Sequence, residues 1–392
     1  MFDNPPRYAV ASIFHTVSKV KYGHGCISCL GQEVKNYGRA RAFVVTDQGI
    51  VRNNVQKPVE ESLSQAGIAY AVFSEVELDP SPDSIEAGVA LMKEFQADIV
   101  IGLGGGSALD SAKAMALRGA HPGPLERYFG LELVPSPCMP SILIPTTAGT
   151  GSEMTSIVVL GNKATQSKKG IVSEHLFAKA VYLDPELTYQ LPPYYTAITG
   201  MDAFIHAMES YVNLSATPFT EAVCLQSMRM IAGSIRKAYA SGKNKEARAE
   251  MLYASALSGM GFANTQTGLI HALGHAVPSS YHLAHGQLMA SVAPMGMAFN
   301  RIAAPEKYAV IAGILGASLK DKNINEQAAS APPAMEALLR DVGLTPGLAA
   351  LGLGREEIPG IAERAAADAR LMAKNPRQGT AKELEALLQQ YF

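Results

Sequence analysis

The sequence is poor in features that mark several classes of protein. It contains only 4 cysteines in 392 residues, too few for the disulfide framework of a small secreted domain. Its formal net charge is -2 and its pI is near 6.5, so it has no basic field with which to attract nucleic acid. We therefore expect no nucleic-acid partner.

Long apolar runs are also missing. No apolar run approaches the roughly 18 residues that a membrane helix needs. The stretch from Met1 to Val10 carries Pro5, Pro6 and charged residues where a signal peptide has its apolar segment. These absences predict a cytoplasmic protein without a membrane partner.

The cysteines offer one short motif. Cys26 and Cys29 are the only close pair, and no second pair accompanies them. A lone C-x-x-C of this kind favours two ordinary thiols near a turn over a redox or zinc site.

What the sequence does contain is enough apolar material for two domains, because 48% of its residues are hydrophobic. Its first half alternates short apolar runs with segments of helical periodicity, which predicts crossover helices around a largely parallel sheet. The predicted strands are Arg41 to Thr46, Tyr70 to Phe73, Asp98 to Leu103, Ser141 to Ile144 and Ala180 to Leu183, with helices at Asn53 to Gln65 and Ser84 to Phe95.

The second half of the sequence has a different composition. After Leu191-Pro192-Pro193, long stretches rich in Ala, Met and Leu predict helices at Thr196 to Val212, Ala222 to Ala240 and Ala247 to Phe262. A Pro-Pro step is a natural helix boundary. We therefore predict an α/β domain over residues 1–190 and an all-α domain over residues 191–392.

A glycine-rich turn follows the third predicted strand. Gly104-Gly105-Gly106-Ser107 leads into a helical stretch that begins near Ala108, with Ser107 as the expected N-cap. Glycines allow the backbone to approach a pyrophosphate, and the free amides of a helix N-terminus supply donors to it. Asp110 in the first turn opposes an anion, and a tight turn that only needs positive φ would also explain the glycines.

A second loop, Pro145 to Glu153, follows the next strand and concentrates hydroxyl groups and flexible backbone. Alone it is equally well explained as a polar loop, but two such loops at the carboxyl edge of one sheet favour a dinucleotide. Asp47 closes the first predicted strand, where its carboxylate could bind ribose hydroxyls and repel a 2′-phosphate. This favours NAD over NADP, with a turn-forming aspartate as the alternative.

Histidines are concentrated in the helical half. Asp202 and His206 lie 4 residues apart, as do His271 and His275, and His285 follows. Residues at i and i+4 share a helix face, so each pair can point at a common ion. One such pair usually means nothing, but buried histidines without partners are costly, so this concentration indicates a catalytic iron or zinc ion. Spacing does not decide between His271 and His275 as a ligand.

In this order, the motifs resemble the iron-containing (group III) alcohol dehydrogenases. The similarity runs from about Tyr22 to Phe299 and is carried by Gly104 to Lys113, Pro145 to Glu153, Asp202-x-x-x-His206, and His271-x-x-x-His275 with His285. The resemblance implies a Rossmann-like N-terminal domain, a helical C-terminal domain and a cleft between them for NAD and Fe²⁺, with Zn²⁺ as an alternative ion. Members of this family often form homo-oligomers.

The resemblance also implies roles for residues at matching positions. The implied metal ligands are Asp202, His206, His271 and His285, with His275 beside the substrate as the catalytic residue. The residues implied to surround the cofactor are Asp47, Asp79, Gly104, Gly105, Gly106, Ser107, Asp110, Thr146, Thr147, Thr150 and Lys169. Asp79 departs from the asparagine often found there, and Lys168 adjoins Lys169 as a competing candidate.

The implied activity is that of a metal-dependent, NAD(H)-linked alcohol dehydrogenase or aldehyde reductase. Such an enzyme transfers hydride between nicotinamide C4 and a small alcohol or carbonyl substrate at the ion. The alternatives are an NAD-using lyase or cyclase of the dehydroquinate synthase type, which would accumulate no NADH, and a non-catalytic metal binder. The sequence does not identify the alcohol; Phe262, Tyr281 and His282 are candidates for lining its site.

Overall fold

The computed structural model describes residues 12–162 and 167–392, so the expectation for Met1 to Val10 lies outside the described residues. Nine strands occur in the described ranges. They are β1 (Val20–Tyr22), β2 (Arg41–Val45), β3 (Ala69–Phe73), β4 (Ile99–Gly104), β5 (Gly130–Leu131), β6 (Ser141–Pro145), β7 (Ile157–Asn162), β8 (Ser167–Val172) and β9 (Ala180–Leu183).

Sixteen α-helices accompany the strands over the same ranges. They are α1 (Leu30–Asn36), α2 (Gln48–Arg52), α3 (Lys57–Gln65), α4 (Pro82–Glu94), α5 (Gly106–Ala120), α6 (Pro193–Val212), α7 (Pro218–Ala240), α8 (Lys245–Thr265), α9 (Leu269–His275), α10 (His285–Asn300), α11 (Pro305–Ile314), α12 (Ile324–Ala329), α13 (Ala331–Asp341), α14 (Ile358–Ala367), α15 (Ala369–Met372) and α16 (Ala381–Gln390).

Six strands form one sheet in the order β1-β9-β6-β4-β2-β3, and every pairing in it is parallel. Side chains alternate between its faces. Phe43 and Val45 pack with α4 and α5 on one face, whereas Ala42 and Val44 pack with α1 and α3 on the other. This confirms the predicted α/β fold with a parallel sheet.

The remaining strands were not predicted. Strand β1 is a three-residue edge strand, and β5, β8 and β7 form a separate small sheet. Strands β1 and β5 are too short to give a clear alternating pattern, and lysine and glycine residues interrupt the pattern in the small sheet. The helix predicted for Asn53 to Gln65 begins too early, because residues 53–56 form a turn and α3 covers only Lys57–Gln65.

The second half is helical, as predicted, and surrounds its own apolar core. Helices α6 and α7 begin earlier than their apolar patterns suggest, at Pro193 and Pro218. Proline suits the first turn of a helix because the amide that it lacks would have no partner within the helix. No helix in the described part of the chain is long and apolar enough to cross a membrane.

Candidate active site

Four donor side chains from three helices converge in the helical half. Asp202 and His206 lie on α6, His271 on α9, and His285 begins α10. One donor atom from each lies within 4.8 Å of the others. The Asp202 carboxylate lies 3.8 Å from His206 Nδ1, 4.0 Å from His271 Nε2 and 3.5 Å from His285 Nε2. The three Asp202 separations fit one small cation, since two ligands about 2.1 Å from an ion are at most about 4.2 Å apart, and donors as far apart as 4.8 Å would move slightly closer around it.

The chemistry of these donors also fits a cation. Asp202 Oδ1, His206 Nδ1 and His271 Nε2 are buried and have no hydrogen-bond partner among the residues that the structure describes. This is a costly state that a bound cation would relieve. Burial lowers the pKa of His271 and His285 well below its usual value, so both rings are neutral. Neutral imidazole is the form that coordinates metal. The residues present therefore fit the implied iron or zinc ion.

A buried carboxylate that the sequence patterns did not reveal holds one of these rings. Glu209 lies one turn after His206 on α6, and its Oε2 accepts from His271 Nδ1 at 2.5 Å. Its Oε1 accepts from the backbone amide of Ile270 at 2.6 Å. With its proton on Nδ1, the His271 ring presents Nε2 as a lone-pair donor. The signal was available, because Asp202, His206 and Glu209 occupy one helix face at i, i+4 and i+7.

His275 lies beside this group but is not one of its four members. Its ring centroid is 5.8 Å from that of His271 and 5.3 Å from that of His285. Burial, helped by the charges of Lys168 and Arg370, lowers the pKa of His275 to about 4. Yet His275 is solvent-exposed and the His285 side chain is 35% exposed. The rings of His275 and His285 are surrounded by protein and still reached by water, so they line a cleft.

The two predicted nucleotide loops lie against each other at the carboxyl edge of the sheet. Thr146 donates its amide to the carbonyl of Gly104, and Thr147 lies against Gly105. A Cβ at Gly106 would come within 2.8 Å of the Thr150 side chain, so only glycine allows this approach. The N-cap of α5 is Gly105, so the prediction of Ser107 is wrong; Ser107 is the second helical residue. No side chain caps this helix, so none competes for its first amides.

The loop that follows β6 also contacts the helix that carries the metal ligands. A Cβ at Gly149 would lie 2.6 Å from the Cβ of Thr199, which is three residues before Asp202 on α6. Ala148 belongs to the apolar core of the helical half. The candidate nucleotide loop and the candidate metal group therefore face one cleft between the two halves of the chain.

Asp47 caps a helix as well as closing a strand. Its Oδ1 accepts from the amides of Gly49 and Ile50 at the start of α2. A Cβ at Gly104 would lie 3.4 Å from Oδ2, so this second oxygen faces the glycine turn. The helix-capping role and the predicted ribose contact are thus compatible, because they use different oxygens.

Asp110 is committed to contacts within the protein. Its Oδ1 accepts from the Ser152 hydroxyl at 2.5 Å and lies 3.0 Å from Lys113 Nζ, while Oδ2 accepts from the Val159 amide at 2.9 Å. Lys113 is fully buried and neutralises the charge that would oppose an anion. Asp110 is therefore placed to position the second loop. Its predicted role at the cofactor stays a prediction.

The adjacent lysines of β8 differ in their surroundings, as neighbours on a strand do. Lys169 Nζ lies over the Phe129 ring at 5.6 Å. Lys168 Nζ lies 2.6 Å from Asp79 Oδ1, and its charge helps to lower the pKa of His275 and His285. Lys168 is thus the lysine that pairs with Asp79, and the cofactor contact of Lys169 stays a prediction.

The three candidates for lining the substrate site have different surroundings. Phe262 stacks on His206 with ring centroids 4.4 Å apart, so it borders the metal group. Tyr281 donates its hydroxyl to Glu357 at 3.2 Å, and His282 is exposed in a left-handed turn. Only Phe262 touches a donor side chain. Cys26 and Cys29, which are far from this group in the sequence, are free thiols.

Comparison with known proteins agrees with this arrangement. The model of the iron-containing alcohol dehydrogenase family matches residues 17–185, and that of the C-terminal part of the Fe-containing alcohol dehydrogenase family matches residues 196–392. A sulfoacetaldehyde reductase of Bilophila wadsworthia is 47% identical over 98% of this chain and 100% of its own. An NAD-dependent methanol dehydrogenase of Bacillus methanolicus is 34% identical over 93% of this chain and 96% of its own.

Solved structures agree as well. The crystal structure of a 1,3-propanediol oxidoreductase matches with a TM-score of 0.94 at 35% identity, covering 98% of this chain and 100% of the other. These matches support a dehydrogenase and not the lyase alternative. The chain belongs to the iron-containing alcohol dehydrogenase family, and it is an NAD-linked, iron-dependent oxidoreductase of alcohols and aldehydes.

Proposed function

We propose that this enzyme reduces sulfoacetaldehyde to its alcohol with NADH, and catalyses the reverse reaction. In the forward direction the carbonyl carbon gains a hydride, the oxygen gains a proton, and NAD⁺ is released. The substrate follows from the relative that is 47% identical over nearly the whole of both chains. The observation that carries the chemistry is the group of four donors at the edge of the cleft, three of which have a buried atom with no hydrogen-bond partner among the described residues.

The side chains have separate roles in this proposal. When bound, the ion would supply Lewis-acid polarisation of the substrate oxygen, and NADH the hydride. Asp202, His206, His271 and His285 would hold the ion, and Glu209 would orient His271. A ring nitrogen of His275 would move a proton between the substrate and solvent. Phe262 packs against His206 and helps to exclude water from that side.

The cofactor would lie across the two loops at the sheet edge. In this proposal Gly104 to Ser107 and the first amides of α5 receive the pyrophosphate. Thr146, Thr147 and Thr150 line it from the second loop. Asp47 Oδ2 accepts from a ribose hydroxyl and disfavours a 2′-phosphate, so NAD is preferred to NADP.

We also propose how the chain is organised and where it works. Residues 1–190 form the dinucleotide-binding domain and residues 191–392 the metal and substrate domain. A cytoplasmic location suits its free cysteines, which would stay reduced there. Because members of this family often form homo-oligomers, we propose the same for this chain. Light scattering of the purified protein tests the proposal.

Replacing His271 with alanine tests the metal chemistry. The variant loses the ligand that Glu209 orients, so we expect both bound metal and NADH oxidation with sulfoacetaldehyde to fall to background. Metal is measured by elemental analysis after gel filtration. His24→Ala, which changes an exposed histidine of the other half, should retain both properties. Full turnover by His271→Ala without metal would contradict the proposal.

A further inference from the structure

One cation near the cleft is not used by the chemistry above. Arg370 lies on α15, and its neighbours Leu371 and Met372 are buried in the core of the helical half. Arg370 itself is exposed. Within residues 12–162 and 167–392, no hydrogen bond or ion pair holds its guanidinium.

The backbone around Arg370 is tied to the helix that carries two of the histidines. Helix α15 packs against α9. Just beyond α15, the buried Asn375 accepts from the amide of Leu269, the first residue of α9, at 3.1 Å. Asn375 also exchanges hydrogen bonds with Asn300 at 2.9 and 2.7 Å. The base of the Arg370 side chain is therefore fixed relative to His271 and His275.

Arg370 lies on a helix that packs against α9, which carries His271 and His275. Burial is the main cause of the lowered pKa of His271 and His275, and the Arg370 charge contributes to both. Asp368 acts on His275 in the opposite direction, but its carboxylate already caps α15 by accepting from the Leu371 amide at 3.0 Å. Lys168 adds a second positive charge from the other half of the chain, although Asp79 pairs with it. In the described part of the chain, Arg370 has no counter-ion, whereas Lys168 has Asp79.

We propose that Arg370 anchors the anionic end of the substrate and thereby selects sulfonate-bearing aldehydes over uncharged ones. This inference rests on the proposed function. A guanidinium presents paired donors that match the oxygens of a sulfonate or carboxylate. In a two-carbon substrate a single CH₂ separates the sulfonate from the reacting carbonyl carbon, so a cation on the helix that packs against α9 would be placed to hold it. Because the backbone around Arg370 is held against α9, this contact would position the substrate as well as attract it.

The test compares Arg370→Gln and Arg370→Lys with the wild type, using sulfoacetaldehyde and uncharged propionaldehyde. Losing a charge-assisted contact should raise the KM for sulfoacetaldehyde at least about tenfold in Arg370→Gln. The KM for propionaldehyde should stay within about twofold. Arg370→Lys retains the charge without the paired donors, so its KM for sulfoacetaldehyde should lie between those of the wild type and Arg370→Gln. Lys374→Gln, an exposed cation in the same segment, should match the wild type.

A binding measurement separates anchoring from turnover. Ethanesulfonate carries the anionic group but no reacting oxygen, so it should inhibit propionaldehyde reduction competitively in the wild type and about tenfold more weakly in Arg370→Gln. Thermal melting checks that each variant is folded. A wild type that does not prefer sulfoacetaldehyde to propionaldehyde would overturn the proposed substrate and the anchor together. A preference that survives in Arg370→Gln, or an equal loss for both aldehydes, would overturn the anchor alone.

Discussion

At the scale of single residues, the side chain that supports a ligand is harder to find than the ligand. The spacing of Asp202 with His206 pointed to a shared ion, and the structure brings them together with His271 and His285. Glu209 was missed because one more acid on a helix is common. Its importance appears only when α9 brings His271 within 2.5 Å. Long-range contacts of this kind leave no local pattern.

Glu209→Gln is expected to weaken metal binding by about 10- to 100-fold, as loss of such supporting groups does. The glutamine amide cannot accept from both the Ile270 amide and His271 Nδ1 as the two carboxylate oxygens do. If its NH₂ faces Nδ1, the ring proton moves to Nε2 and blocks the ligand atom. Metal affinity is measured by competition with a chelator.

Glu246→Gln is the control, because Glu246 is an exposed acid in the first turn of α8. Unchanged metal affinity in Glu209→Gln would show that the carboxylate does not orient His271. A loss of affinity that matches a general loss of folding in thermal melts would count against the specific role as well.

At the scale of elements, the regular strands and helices followed from periodicity, whereas the connections did not. The predicted strands of the main sheet differ from the observed ones by only one or two residues. The β7–β8 hairpin escaped prediction because its second strand carries Lys168, Lys169 and Gly170. The position of this hairpin also depends on Lys113, a buried lysine of α5. The Lys113 Nζ donates to Ser152, Thr155 and Ile157, and so joins α5 to the loop and to β7.

Lys113→Met should therefore destabilise this junction. The substitution leaves Asp110 and several acceptors without their buried cation, and breaking a buried pair costs about 3 kcal/mol or more of the free energy of unfolding. Urea denaturation measures the loss. Because the loop that includes Thr146 to Ser152 is released, the KM for NADH should also rise.

The double variant Asp110→Asn/Lys113→Met tests the coupling. Removing both charges should cost less than the sum of the single changes, since neither charge is left alone. Additive losses would show that Lys113 and Asp110 act independently. A Lys113→Met protein as stable as the wild type would remove the junction from the explanation of the fold.

At the scale of the whole molecule, the fold class was predictable and the meeting of the two halves was not. Alternating strands and helices give way to helices near Pro192, and this change is visible in the sequence. The contact between Gly149 and Thr199 is not, because it joins a loop of one half to a helix of the other. That contact sets the candidate nucleotide loop beside Asp202. The cleft is therefore a property of the assembled chain.

Metal removal should affect the whole molecule as well as catalysis. The four donors come from α6, α9 and α10, so an ion would join three helices and give a partner to the buried donor atoms of α6 and α9 that have none among the described residues. A ligand at 100 times its Kd stabilises the folded state by about 2.7 kcal/mol. Chelation should lower the melting temperature and abolish NADH oxidation together, and Fe²⁺ should restore both. Zn²⁺ distinguishes the two effects, because it can restore the melting temperature through the same nitrogen and oxygen ligands without restoring turnover. A chelated protein that is verified to be metal-free, melts at the original temperature and still oxidises NADH would show that these four side chains hold no functional ion.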